Sequence, residues 1–195
     1  MNLTLLRSRS NENEKAMKLA KFKACICEGA AERAIMDILL ENELLIFSKS
    51  ELIDDDIIRC RDAKEFESRY LRKVFDDQIS VIRILNREKE NFKISKPYKD
   101  KIDIVNIVTS PEIEMFIICS EDKYEEFCKV KSKMSPSTFC KQNMPKLKYD
   151  KKYETIKAYF STPEKLVNAI MLYHQKHQSS GQYTLLDLLK KNRIK

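Results

Sequence analysis

The sequence predicts an α/β fold of about four mostly parallel strands flanked by helices, followed by a basic helical extension. Two observations predict it. Short apolar runs alternate with stretches of helical periodicity, in the order strand, helix, strand, helix, strand, strand, helix. Helical crossovers of this kind join parallel neighbours. At 195 residues, with 43% hydrophobic and 34% charged side chains, the chain has the size and composition of one globular domain.

Phe22 to Cys27 (FKACIC) is the first strand, and it stops at Glu28-Gly29. Ala30 to Glu41 follows as a helix with an apolar stripe of Ile35, Ile38 and Leu39. Leu44 to Phe47 (LLIF) is a second strand candidate. Asp62 to Phe75 carries Phe66, Tyr70, Leu71, Val74 and Phe75 at helical spacing. Ile79 to Leu85 (ISVIRIL) and Ile102 to Val108 (IDIVNIV) are the third and fourth strands. Ser110-Pro111-Glu112 has the residues of a helix start: a hydroxyl to cap free N–H groups, a proline suited to the first helical position, and an early carboxylate. The segment from Lys129 to Lys152 is basic, punctuated by proline and poor in apolar periodicity, so it reads as surface, with Ser132 to Ser137 as a structured turn. Thr162-Pro163-Glu164 opens a helix to about His174, and Tyr183 to Lys191 reads as a short amphipathic helix. The resulting division is a basic N-terminal segment (1–21), an α/β core (22–120), and a basic loop with helices (121–195) belonging to the same domain.

Composition excludes several function classes. Only two glycines occur, Gly29 and Gly181, where average usage would give roughly 14. A phosphate loop needs two glycines in a fixed frame and a dinucleotide fingerprint three, so neither site can be built. No run approaches the apolar length of a membrane span, and the N-terminal residues lack a secretory apolar region, so a cytoplasmic protein is expected. Six cysteines without a CxxC pair fit a reduced compartment. Net charge is +7, unevenly spread: residues 1–23 hold six basic and two acidic side chains, 24–119 hold 15 and 20, and 120–195 hold 16 and 8. An acidic centre between basic ends is the pattern of a polyanion-binding protein with a carboxylate-lined metal site.

In parallel sheets, ligands bind at the carboxyl ends of strands. That directs attention to Glu28, to Asn86 and Glu88 after the third strand, and to the 109–114 segment with Glu114. Gly29 permits a tight turn or a close backbone approach beside Glu28. Oxygen-bearing side chains at 86 and 88 suit a hard divalent cation such as Mg²⁺ or Mn²⁺. Glu112 and Glu114 lie about 200° apart on a helix, so only one of them faces the site.

ICEGAAE at the first strand, ISVIRIL before the acidic segment, and TSPEIEMFII together resemble the Toprim domain, and more narrowly the RloB-like Toprim nucleases of phage defence. The resemblance covers residues 22–120 and implies a Rossmann-like core, Mg²⁺-dependent phosphodiester hydrolysis and a separate ATPase partner. It implies a catalytic or metal-binding role for Glu28, and puts Asn86 and Glu88 where the family has Asp-x-Asp. Glu114 falls at the family's Pro-x-x-Glu position. The amide at 86 departs from that pattern and removes one negative charge.

Lys129, Lys131, Lys133, Lys141, Lys146 and Lys148, interleaved with Phe139 and Tyr149, are the residues expected to grip nucleic acid, DNA or RNA: lysines neutralise phosphates and aromatics stack on bases. The alternatives are a non-catalytic nucleic-acid-binding or regulatory module with a degenerate metal site acting with a partner, and an interaction subunit whose acidic centre docks a basic protein. An apolar helix face left exposed would make the chain a homo-oligomer.

Overall fold

Three of the apolar runs become strands. Phe22–Cys27 (β1), Ile79–Leu85 (β2) and Ile102–Val108 (β3) form one parallel sheet in the order β1-β2-β3. The structure is a computed structural model describing residues 17–60, 62–72, 75–85, 91–109, 113–147, 149–176 and 182–191. The helices are Ala30–Glu41 (α1), Ala63–Tyr70 (α2), Glu114–Ser120 (α3), Tyr124–Val130 (α4), Pro136–Asn143 (α5), Tyr153–Tyr159 (α6) and Pro163–Lys176 (α7). The architecture is thus α/β with a parallel sheet flanked by helices, compatible with a Rossmann-like fold.

Register sorts the side chains onto two faces. Cys25 pairs with Ile82 and Ile82 with Val105, while Ile26 pairs with Arg83 and Arg83 with Asn106. Alternate residues point to opposite faces. One face, with Cys25, Cys27, Ile82, Ile84, Val105 and Ile107, packs in a large apolar cluster with α1, α3 and α7. The other, with Ala24, Ile26, Ile79 and Val81, packs on Ala63 and Phe66 of α2 and on Phe92 and Ile94. Strands buried on both sides explain why β1 and β2 read as nearly unbroken apolar runs.

The four-strand expectation needs correcting at Leu44–Phe47. This run leaves α1 through Glu43, whose φ is 54°. Instead of joining the sheet it meets the C-terminal segment: Leu45 makes a single antiparallel bridge with Leu189, Ile46 N–H donates to Leu188 O at 2.8 Å, and Lys190 N–H donates to Leu44 O at 2.8 Å. Burial of Leu44, Leu45 and Phe47 accounts for their apolar character. The outer edge of β1 is covered by two isolated parallel bridges, Lys23 with Leu52 and Ile26 with Ile58. The turn between them includes Asp55 in the left-handed region (φ 52°), which interrupts any continuous ladder.

The basic segment is also corrected. Pro136–Asn143 is a helix whose Ser135 hydroxyl accepts from Thr138 N–H at 3.2 Å. Phe139, Cys140, Met144 and Tyr149 are all buried in the large cluster. Phe127 and Phe139 meet edge-to-face with centroids 5.4 Å apart. Phe139 and Tyr149 are therefore core residues, not a base-stacking surface. Toward the C-terminus the expected helix is a single 3-10 turn, Leu185–Leu188, capped reciprocally by Thr184 and Asp187. Ahead of it, Val108 N–H donates to Tyr183 O at 2.9 Å, covering the carboxyl end of the free edge of β3. No helix among the described residues is long and apolar enough to cross a membrane.

Candidate functional site

The carboxyl edge of the sheet is built by how β1, β2 and β3 end. β1 ends at Cys27, so Glu28 stands at its tip, its side chain 32% exposed. β2, the central strand, ends at Leu85. The carbonyl of Leu85 accepts from both Thr109 N–H at 2.8 Å and Thr109 Oγ1 at 3.0 Å, which pins the exits of β2 and β3 together. Glu114 opens α3 just beyond β3. Asn86 and Glu88, which follow Leu85 directly, lie outside the described residues, as do Ser110, Pro111, Glu112 and Lys148 and the side chain of Lys146.

Glu28 belongs to the face that carries Arg83. The Arg83 guanidinium lies 3.6 Å from Glu28 Oε1 and 4.5 Å from the ring centre of Phe92, with its side chain only 3% exposed. A cation this deeply buried needs a charged or π-rich partner, and Glu28 and Phe92 supply both. Sequence reasoning missed Arg83. The signal was present, because a lone arginine in the apolar run ISVIRIL must find an anion.

Gly29 precedes α1 with φ −107° and ψ 163°, ordinary extended backbone open to any residue. What glycine leaves here is room for a neighbouring side chain. A Cβ there would collide with the Glu32 carboxylate, which folds back over the first turn of α1. The close approach expected at Gly29 is thus made by the chain's own glutamate. Carboxylates are favoured at this positive end of a helix.

Glu114 is 1% exposed. Tyr149 Oη donates to its Oε1 at 2.7 Å, and Lys151 Nζ lies 2.9 Å from the same oxygen. Tyr149 and Lys151 were also missed as residues of this site, because they lie within the segment read as surface. Gly29, Glu32, Glu114 and Lys151 line a cavity of about 210 Å³. That is smaller than the roughly 300 Å³ at which ligand pockets usually begin, and suits one phosphate group or a hydrated ion better than a nucleoside.

The structure therefore brings Glu32 and Glu114 around one cavity, with Glu28 at the same sheet edge but on the Arg83 face. Among the described residues, no group of three or more His, Cys, Asp or Glu could hold a metal ion. Lys129, Lys131, Lys133 and Lys141 are all exposed, carried by α4, α5 and the turn between them.

Family models, curated proteins and solved structures all give no match to this chain. Its chemistry is accordingly read from its own residues.

Close to this edge, Asp150 accepts from Thr155 Oγ1, from Lys152 N–H at 3.2 Å and from the Lys152 ammonium at 2.9 Å. The Thr155 hydrogen bond, followed by the Lys152 contacts, holds its carboxyl down at about 2. Asp150 thereby orders the turn that leads from Tyr149 and Lys151 into α6. On the far side, α6 is tied to α1 by Tyr153 Oη donating to Asp37 at 2.9 Å and by Lys157 on Glu41 at 2.7 Å. Burial raises the Cys27 thiol well above its ordinary value, and raises that of Cys119 to about 12, so neither is a nucleophile at neutral pH.

Proposed function

We propose that the chain is a metal-dependent nuclease that hydrolyses phosphodiester bonds of DNA or RNA, in the manner its resemblance to RloB-like Toprim proteins implies. One observation carries the reading. Glu28, Glu32 and Glu114 all lie at the carboxyl edge of a parallel sheet, flanking the exit of the central strand, from which the chain runs on to Asn86 and Glu88. Ligand sites of such sheets lie there.

The donor set is chemically apt for Mg²⁺ or Mn²⁺: carboxylate and amide oxygens, with no sulfur or imidazole. The resemblance names Glu28, Asn86, Glu88 and Glu114 as the residues that would hold the ion; Glu28 on the Arg83 face and Glu114 beside the cavity stand on either side of the strand exit that leads to Asn86 and Glu88. When bound, a divalent ion polarises a phosphate and lowers the pKa of water. The protein's own residues do the rest. Arg83 beside Glu28 fixes its position. Glu28 and Glu88 hold or move the proton of the attacking water. Tyr149 and Lys151 orient Glu114 and compensate its buried charge. Exposed Lys129, Lys131, Lys133 and Lys141 offer a basic surface to the nucleic-acid backbone.

In this reading the chain works as an effector in anti-phage defence, and any ATP dependence comes from another chain, since no phosphate loop is present in the sequence. A second reading draws on Lys151. Its ammonium already neutralises Glu114, which favours a nucleic-acid-binding module that needs no ion there. Incubating the protein with labelled single- and double-stranded oligonucleotides, in Mg²⁺ or in EDTA, separates the two. Cleavage in Mg²⁺ that is lost in EDTA and in Glu88→Ala supports the nuclease. Binding without cleavage under every condition supports the module.

A further inference from the structure

A groove of about 560 Å³ opens between α1, α2 and the chain around Ile57 to Arg59, lined by Arg33, Arg59, Arg69, Glu65 and Tyr70. We infer that this groove binds the phosphate backbone of the nucleic-acid strand and leads it to Glu28. The inference rests on the nucleic-acid substrate proposed above and names a binding surface other than the lysines of α4 and α5.

Position is the first argument. Ile58 bridges Ile26 and donates its N–H to Cys25 O at 2.7 Å, while Cys27 N–H donates to Ile58 O at 3.1 Å. Arg59 is therefore level with the end of β1, one strand-width from Glu28. The groove runs along the outer edge of β1, between α1, which packs on one face of the sheet, and α2, which packs on the other. Ile58, Ala63 and Phe66 pack with Ala24 and Ile26 in the smaller cluster, on the side where Arg83 meets Glu28. The lysine-bearing helices α4 and α5 pack with the opposite face.

Charge is the second argument. Arg33 is fully engaged: it bonds Asp56 at 2.6 Å and the carbonyl of Ile57 at 3.2 Å, and approaches Asp37 at 3.5 Å. It thereby anchors the segment that presents Arg59. Arg69 pairs with Glu65 at 3.0 Å through one nitrogen and lies 5.3 Å from the ring centre of Tyr70, with 54% of its side chain exposed. A guanidinium has five donors, so Arg69 retains some for a phosphate. Arg59 is exposed and makes no ion pair among the described residues. Each of these two arginine forks on a polar, open groove can bind the oxygens of a phosphate. An acidic protein segment is the competing occupant; the nearness of Arg59 to the tip of β1, which carries Glu28, favours nucleic acid.

The test is fluorescence-anisotropy binding of labelled single-stranded DNA and RNA oligonucleotides of mixed sequence, in EDTA, over a salt series. The variants are Arg59→Ala, Arg59→Glu, Arg59→Lys and a Lys131→Glu/Lys133→Glu pair. Because Arg59 is exposed and unpaired, its substitution leaves the fold intact, as matching thermal unfolding will verify. Arg59→Ala is expected to weaken binding several-fold and to flatten the slope of log K against log salt by about 0.7. Arg59→Glu weakens binding at least tenfold, and Arg59→Lys retains the slope. Affinity and slope unchanged in Arg59→Glu, or no binding by the parent protein, overturns the groove. Poly-glutamate competing as well as oligonucleotide overturns it in favour of an acidic protein. A protein that binds through Arg59 but never cleaves keeps the groove and removes the nuclease reading.

Discussion

Replacing Tyr149 by Phe tests how the basic segment is attached to the site. The substitution deletes one hydroxyl and leaves the ring in its buried place. The lost hydrogen bond is 2.7 Å long and ends on a carboxylate that is 1% exposed, so water cannot take its place freely. Hydrogen bonds to charged groups contribute about 1.5–3 kcal/mol. Lys151 remains at 2.9 Å in the variant, and its side chain is 52% exposed, which keeps part of the compensation and places the loss near the lower end, about 1.5–2 kcal/mol. For a chain of this length each kcal/mol moves Tm by roughly 2–4 °C, so a fall of about 3–8 °C is expected. Urea denaturation of Tyr149→Phe, Glu114→Gln and the double variant gives the coupling directly, expected at about 1 kcal/mol. A loss under about 0.5 kcal/mol, the size of an ordinary surface change, with no coupling would refute the clamp.

Three further outcomes follow from the same geometry. Gly29→Ala places a methyl against the movable end of the Glu32 side chain and is expected to cost only about 0.5–1.5 kcal/mol, the scale of a displaced rotamer, most of it recovered in Gly29→Ala/Glu32→Ala; equal losses in both would contradict the steric cause. Phe139→Ala empties a fully packed position against Phe127 and is expected to cost about 3–5 kcal/mol in chemical denaturation, whereas a surface residue would cost almost nothing. The Asp150 carboxyl, followed by carbon-detected NMR, titrates near 2 and not near its ordinary value. Since its folded pKa is depressed, its contribution to stability is complete above about 4 and is lost as pH falls through about 2, so the acid-unfolding curves of the parent and Asp150→Asn converge at the low end.

The parts of this fold that were legible in the sequence are those where periodicity and burial coincide. Ala30–Glu41 was readable to the residue, because Gly29 stops the strand before it and Ile35, Ile38 and Leu39 form one buried stripe. β1 and β2 were readable because both their faces are covered, and β3 because its apolar residues are buried or half-buried. Leu44–Phe47 was misread because four apolar residues in a row report burial without reporting what they pair with. The segment from Lys129 to Lys152 was misread because its exposed lysines outnumber the core positions Phe139, Cys140, Met144 and Tyr149, and no clean helical period links those four. At the candidate site, Glu28 and Glu114 were visible from their places after strands. Arg83, Glu32 and Lys151 were not, since their importance comes from contacts between residues far apart in the chain or folded back on a turn.

The most direct measurement is Mg²⁺-dependent cleavage of a labelled oligonucleotide by the parent protein and by Glu28→Gln, which keeps the shape of the side chain and removes its charge. The account predicts cleavage by the parent and a loss of at least about a hundredfold in the variant, the scale of a missing acid–base group. Equal cleavage by the two proteins would contradict it.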